Sequence, residues 1–198
     1  MSPLLVAIAG GTASGKTTIA EAVAASTGAA LVAHDRYYRD VVDPSRHDFD
    51  DPAALDTDLL VTHLVALRRG EPVSLPVYDF ARHARSEQTT PVVAAPVVIV
   101  EGILALAAPR LRDLARLRVY VHADDDVRLA RRIRRDVAER GRTWDDVIRQ
   151  WLLSVRPAHQ RFVAPCRDIA ELVLDGEAPV AQAVAALTQA FSDRRSAR

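Results

Sequence analysis

The chain holds one lysine beside 25 arginines, and that lysine, Lys16, stands in the stretch GGTASGKTT. Gly10, Gly15, Lys16 and Thr17 have the Walker A spacing, between an apolar run and a helical one. Such a loop, Gly10, Gly11, Thr12, Ala13, Ser14 and Gly15, turns its backbone N–H groups onto phosphate oxygens. A helix starting at Lys16 adds its positive end, where Thr18 also lies. Lys16 offers a compact, rotatable charge to terminal phosphates, and the Thr17 hydroxyl suits Mg2+. The plainer reading is a glycine turn joining strand to helix. With its only lysine placed here, the chain cannot contain the Asn-Lys-x-Asp motif by which GTPases read guanine. A kinase is therefore favoured over a nucleotide switch.

Two acids stand where strands should end. Asp35 follows ALVAH and Glu101 follows PVVIV. In doubly wound sheets ligands gather at the carboxyl ends of the strands. Glu101 is placed as a Walker B-type acid supporting Mg2+, directly or through water. Asp35 is placed to orient an attacking hydroxyl and take its proton late in phosphoryl transfer. Each acid alone could be a helix cap or a surface group. A third feature is RRIRRDVAERGR, Arg131 to Arg142, with six arginines in twelve residues. Arg128, Arg131, Arg132 and Arg135 share one helical face, and Gly141 breaks the helix to present Arg142. Three readings stand: a solvated face, a nucleic-acid contact, or a clamp over phosphates. Arg131 and Arg134 are expected at the surface, and nearby acids, Asp136 among them, should pair with some of the arginines.

The elements that position these groups follow from periodicity. Continuous apolar strands are expected at 4–9, 30–33, 96–100, 117–123 and 170–174. Helices are expected at 16–27 and 56–69, then from an Asp124 cap through the arginines, from a Thr143 cap to Pro157, and at 179–191. This alternation implies an α/β fold with a mainly parallel sheet and helices on both faces. Segments 36–51 and 71–90 break the rhythm and read as loops or a small hairpin over the functional edge. One domain over 1–192 with a frayed tail at 193–198 is expected.

Formal charges balance to zero, which argues against a dedicated nucleic-acid binder. The single cysteine, Cys166, fits a reducing cytoplasm. The N-terminal apolar run is too short to cross a membrane and lacks the flanks of a signal peptide. His34, His47, His63, His122 and His159 have no motif around them and are read as structural.

GGTASGKTT, HDRYYRD, DFDDPAALD, YDFARHAR, VIVEGI and RRIRRDVAERGR…QW…VRPAHQRFVAP occur in the order found in uridine kinases, the uridine–cytidine kinases. The resemblance spans about residues 4–175. It implies a P-loop NTPase-type doubly wound fold, with a helical lid over about 124–156 and nucleoside-binding insertions at 36–51 and 71–90. It implies transfer of the γ-phosphate of ATP or GTP, with Mg2+, to the 5′-hydroxyl of uridine or cytidine, in pyrimidine salvage. By the same resemblance Asp35 is the catalytic aspartate and Tyr38 its neighbour. Asp50 would bind the ribose diol, and Tyr78, His83 and Phe80 the pyrimidine. Arg132, Arg142 and Gln150 match nucleoside contacts, with Arg142 also near the moving phosphate, and Arg135 and Arg140 match phosphate contacts. A cytoplasmic homo-oligomer, dimer or tetramer, is implied, with no nucleic-acid or membrane partner. The chain departs from the family at Asp48, Asp51 and Trp151, and at AELVLDGEAP, so no base-binding residue is assigned over 171–179. A phosphoribulokinase-like or pantothenate kinase-like enzyme, or a nucleic-acid-binding ATPase using the arginine helix, are the alternatives.

Overall fold

The computed structural model describes residues 2–43, 48–80 and 82–196; His47 lies outside them. Its centre is a five-stranded, wholly parallel sheet in the order β2-β5-β1-β6-β7. The strands are β1 (Leu4–Gly10), β2 (Ala30–Ala33), β5 (Val97–Glu101), β6 (Leu117–His122) and β7 (Leu172–Asp175). Every residue of β1 is buried, because both faces of the sheet are covered. Leu5, Ala7 and Ala9 enter the core beneath α2 (Thr57–Arg68), where Leu60, Leu64 and Leu67 fill the middle. Leu4, Val6 and Ile8 enter the other, against α1 (Lys16–Thr27) and α7 (Val180–Ser196) through Ile19, Val23, Leu187 and Phe191. Each fully buried leucine contributes roughly 1.5–3 kcal/mol of transfer free energy.

Segment 71–90 resolves into an antiparallel hairpin, β3 (Val73–Asp79) and β4 (Ala84–Val92), separate from the main sheet. A short α3 (Pro109–Leu114) links β5 to β6. The arginine helix is α4 (Asp125–Arg140), closed by Gly141 in the left-handed conformation. Asp124 holds the cap position, but its carboxylate makes no cap bond. It sits 3.3 Å from His122 Nε2 instead.

Two helix ends differ from expectation. α5 (Trp144–Gln150), capped by Thr143, does not stop at Pro157. It continues through a π-helical stretch (Trp151–Val155), the short α6 (Arg156–Ala158) and a second π-helical stretch (His159–Val163). Pro157 thus lies where the ordinary ladder is already interrupted, so its missing N–H breaks little. The tail is helical to Ser196. Arg194 anchors it, donating to the Arg116 carbonyl and to Glu171 Oε1, the latter at 2.9 Å.

Candidate active site

A cleft of about 1500 Å3 opens along the carboxyl edge of the sheet. At one end lies the loop between β1 and α1. Gly15 caps α1 with φ +94°, a conformation that L side chains rarely adopt. Lys16 is buried at the start of α1, and Thr17 follows it. The Thr17 hydroxyl donates to Glu101 Oε2 at 3.1 Å. Glu101 ends β5, in register with Ile8 and Ala33, which brings it under the loop. Burial raises its carboxyl pKa; Lys16 and the Thr17 bond oppose the rise, while Asp35 adds to it. Two hard oxygen donors, one hydroxyl and one carboxylate, suit a Mg2+ that keeps most of its shell as water and phosphate.

Asp35 sits in a 3-10 turn (His34–Tyr37) directly after β2 and is half-buried on the cleft wall. The turn is anchored from behind. His34 packs against Gly102, where a side chain would come within 2.5 Å of its Cβ. Complete burial pushes the His34 pKa down to about 4, so the ring is neutral near pH 7. Tyr37 is buried, with its hydroxyl 2.8 Å from His63 Nδ1.

The other end of the cleft is aromatic. Tyr38, fixed by donating to the Phe49 carbonyl at 3.0 Å, meets the rings of Tyr78, Phe80 and Phe49. Phe49 lies 4.8 Å, centroid to centroid, from His83 at the hairpin turn. Phe80 packs edge-on against Tyr78 yet stays exposed. The Tyr78 hydroxyl and His83 Nδ1 are buried with no hydrogen-bond partner among the described residues. Such groups are costly unless something pairs with them. Asp50 lies alongside, with the Ser154 hydroxyl 3.4 Å from its Oδ2. Its pKa is raised by burial and further by Asp48, against the pull of Arg132, Ser154 and Arg142. The two unusual acids have local employment. Asp48 Oδ1 accepts the Asp50 N–H, and Asp51 Oδ1 accepts the Ala53 N–H and caps a short turn.

Between the two ends lies the arginine face of α4. Arg132 donates to the Thr12 hydroxyl at 3.1 Å and to Gln150 Oε1 at 2.8 Å. Arg142 donates to the same Gln150 oxygen at 2.7 Å. Arg135 and Arg140 also border the cleft. Thr12, Ala13, Gly15, Lys16, Thr17, Thr18, Asp35, Tyr38, Asp50, Tyr78, Phe80, His83, Glu101, Arg132, Arg135, Arg140, Arg142 and Gln150 therefore share one cavity. Gly10, Gly11 and Ser14 do not line it; Ser14 is fully buried behind the loop.

Several residues make contacts that the sequence does not indicate. Arg128 is 1% exposed, stacked 5.0 Å from the Trp151 ring centroid, paired with Asp125, and donating to the Ala123 carbonyl. A Cβ on Gly11 would come within 2.3 Å of its guanidinium. Helix α4 is thus packed onto the phosphate loop. The sequence sets Arg128 on one helical face with Arg132 but does not indicate its burial against Trp151 and the loop. Phe49 and Ser154 gave none beyond their neighbours in sequence. Arg131 is exposed but not idle, since it donates to the Gly176 carbonyl at 2.9 Å and borders the cleft. Segment 171–179, to which the sequence assigns no base-binding residue, contains the edge strand β7 and, just after it, places Gly176 and Ala178 on the cleft wall.

Comparison with known proteins agrees with this architecture. The model of the Phosphoribulokinase / Uridine kinase family matches residues 5–181. A uridine kinase of Chloroflexus aggregans is 44% identical over 183 residues, 88% of each chain. One of Lactococcus lactis subsp. cremoris is 41% identical over 179 residues, covering 86% of this chain and 87% of that one. In fold, the chain resembles phosphoribulokinase from Rhodobacter spheroides with a TM-score of 0.67 at 14% identity, over 88% of this chain and 70% of that one. A phosphate loop, an acid at each of two neighbouring strand ends and an arginine-rich helix are combined here in a chain whose matched length takes in all three. By that match this chain belongs to the Phosphoribulokinase / Uridine kinase family.

Proposed function

We infer that this chain is a uridine kinase, transferring the γ-phosphate of ATP or GTP to the 5′-hydroxyl of uridine or cytidine. The product, UMP or CMP, would serve pyrimidine salvage. One observation carries the reading. A single cleft joins a lysine-bearing phosphate loop to an aromatic pocket holding a half-buried acid, Asp50, and two polar atoms without partners among the described residues, Tyr78 Oη and His83 Nδ1. A flat pyrimidine suits the aromatic walls, and its polar edge suits those two atoms. The Asp50 carboxylate suits a vicinal diol, which can donate two hydrogen bonds to it. The relatives named uridine kinases support the same acceptor.

In the reaction, the nucleoside hydroxyl lies toward Asp35, which orients it and receives its proton as the bond to phosphorus forms. An alcohol is too weak an acid to be ionised beforehand by a carboxylate. Lys16, Arg135, Arg140 and Arg142 oppose the charge spread over the moving phosphoryl group. Arg132 and Gln150 fix the nucleoside side of the lid. Mg2+, held by Thr17 with Glu101 directly or through water, would neutralise β- and γ-phosphate charge when bound. The Gly176 segment forms the nucleotide end of the cleft.

Among the described residues no helix is long and apolar enough to cross a membrane. A cytoplasmic dimer or tetramer belongs to the same proposal. Asp48 and Asp51 each accept a local backbone N–H, so their presence has a structural use that calls for no other alcohol substrate. An initial-rate assay with MgATP tests the reading across uridine, cytidine, their 2′-deoxy forms, ribulose 5-phosphate and pantothenate. Turnover of the two ribonucleosides is expected; turnover of ribulose 5-phosphate or pantothenate in their place contradicts it.

A further inference from the structure

Asp136, in the last turn of α4, has no exposed surface. Four guanidinium groups surround its carboxylate. Arg135 makes two contacts to Oδ1, from Nε at 2.9 Å and from NH2 at 2.8 Å. Arg140 NH1 is 3.5 Å from the same oxygen. Arg132 Nε is 3.6 Å, and Arg142 NH1 3.5 Å, from Oδ2. Oδ2 itself accepts no hydrogen bond among the described residues. The backbone of Asp136 works in the same place, its carbonyl accepting the N–H groups of Gly141 and Arg142 at the lid turn.

The stoichiometry is uneven. One carboxylate faces four permanent cations, a surplus of three positive charges, and only Arg135 donates regular hydrogen bonds to it. All four arginines border the cleft. Four like charges on a solvent-facing helix and turn would spread apart. A buried anion at their centre draws them together while leaving most of their N–H donors uncommitted. We propose that Asp136 is a positioning residue that gathers Arg132, Arg135, Arg140 and Arg142 into a preformed site for the transferring phosphoryl group. It touches neither substrate and acts only through the arginines. The inference rests on the kinase reading above, because the anion it prepares for is the moving phosphate. Preorganised charge of this kind stabilises a transition state without rearrangement during reaction.

Asp136→Asn keeps the shape and removes the charge. The cleft then becomes more positive, so binding of an intact polyanion should not suffer. Calorimetric titration with MgATP, without acceptor, should give a Kd within about threefold of wild type, or tighter. kcat should fall about 10–100-fold, with the nucleoside KM little changed. A kcat within twofold of wild type overturns the proposal. So does a proportional loss of ATP affinity and kcat together, which a merely structural role would produce. If the variant does not fold, 15N-arginine NMR of the wild-type protein decides. The Arg135 Nε–H signal, assigned with Arg135→Lys, should stay protected from water exchange between pH 6 and 8 without nucleotide; rapid exchange defeats the proposal. Titration and NMR need no acceptor, and kcat is taken with whichever alcohol the wild type uses. An error about the acceptor would therefore show in the wild-type assay and not in these results.

Discussion

At the scale of single residues, the proposed function gives the two carboxylates Asp35 and Asp50 different tasks, and kinetics can separate them. Asp35→Asn should lower kcat by about 10²–10⁴-fold with little change in nucleoside KM, read from steady-state rates. A raised KM with kcat held would make Asp35 a binding group. Asp50 should act on recognition. On the proposed reading its ionised form accepts from the diol, and burial raises its pKa from the ordinary carboxylate value. The ionised fraction therefore falls as pH drops through that raised value, and kcat/KM for uridine should fall with it. The same limb should be nearly flat for 2′-deoxyuridine, which cannot form the paired contact. Asp50→Asn should narrow the gap between ribo- and deoxyribonucleoside by about 1–3 kcal/mol, roughly the penalty of one unpaired buried polar group. Both acids could be found in the chain, because each sits beside a readable motif. Asp136 was seen only as one acid among many, since its depth depends on how α4 packs against α5 and the phosphate loop.

At the scale of elements, α1, α2 and the sheet strands were legible because their patterns are set by burial on known faces. Glu101 was placed just beyond its strand and proves to be the last residue of β5. The lid was less legible. Pro157 suggests a helix end, yet the π-helical stretches on both sides carry the chain past it to Val163. Periodicity at 3.6 residues cannot report a turn that widens. The contact of α4 with the phosphate loop was also hidden, because glycine normally signals a turn rather than space for a neighbour. At Gly11 the space belongs to Arg128. Gly11→Ala should therefore cost about 1–3 kcal/mol in urea unfolding through overpacking. Combined with Arg128→Ala the loss should be less than the sum of the two single losses, a coupling of about 0.5–3 kcal/mol. Strict additivity would show that the contact is not the cause.

At the scale of the whole molecule, a chain of zero net charge encloses a strongly basic cleft. Of the arginines that first suggested a polyanion surface, Arg131, Arg132, Arg135, Arg140 and Arg142 border the cleft, while Arg134 and acids such as Asp145 and Asp146 are exposed and lie outside it. That arrangement favours a small anion within a closed site over a nucleic acid along a face. The parallel sheet places Glu101 and Asp35 at the ends of adjacent strands beside the loop, and the hairpin and α4 bring the aromatic pocket and the arginines to the same cleft. The central claim is that this cleft joins the phosphate of a nucleotide to the hydroxyl of a pyrimidine ribonucleoside. The most direct test is 31P NMR of the products formed by the wild-type chain from MgATP and uridine. The account predicts ADP and uridine 5′-monophosphate in equal amounts, with no ATP loss when uridine is omitted. ATP hydrolysis to inorganic phosphate that ignores uridine, or a phosphate ester formed only with a different alcohol, would contradict it.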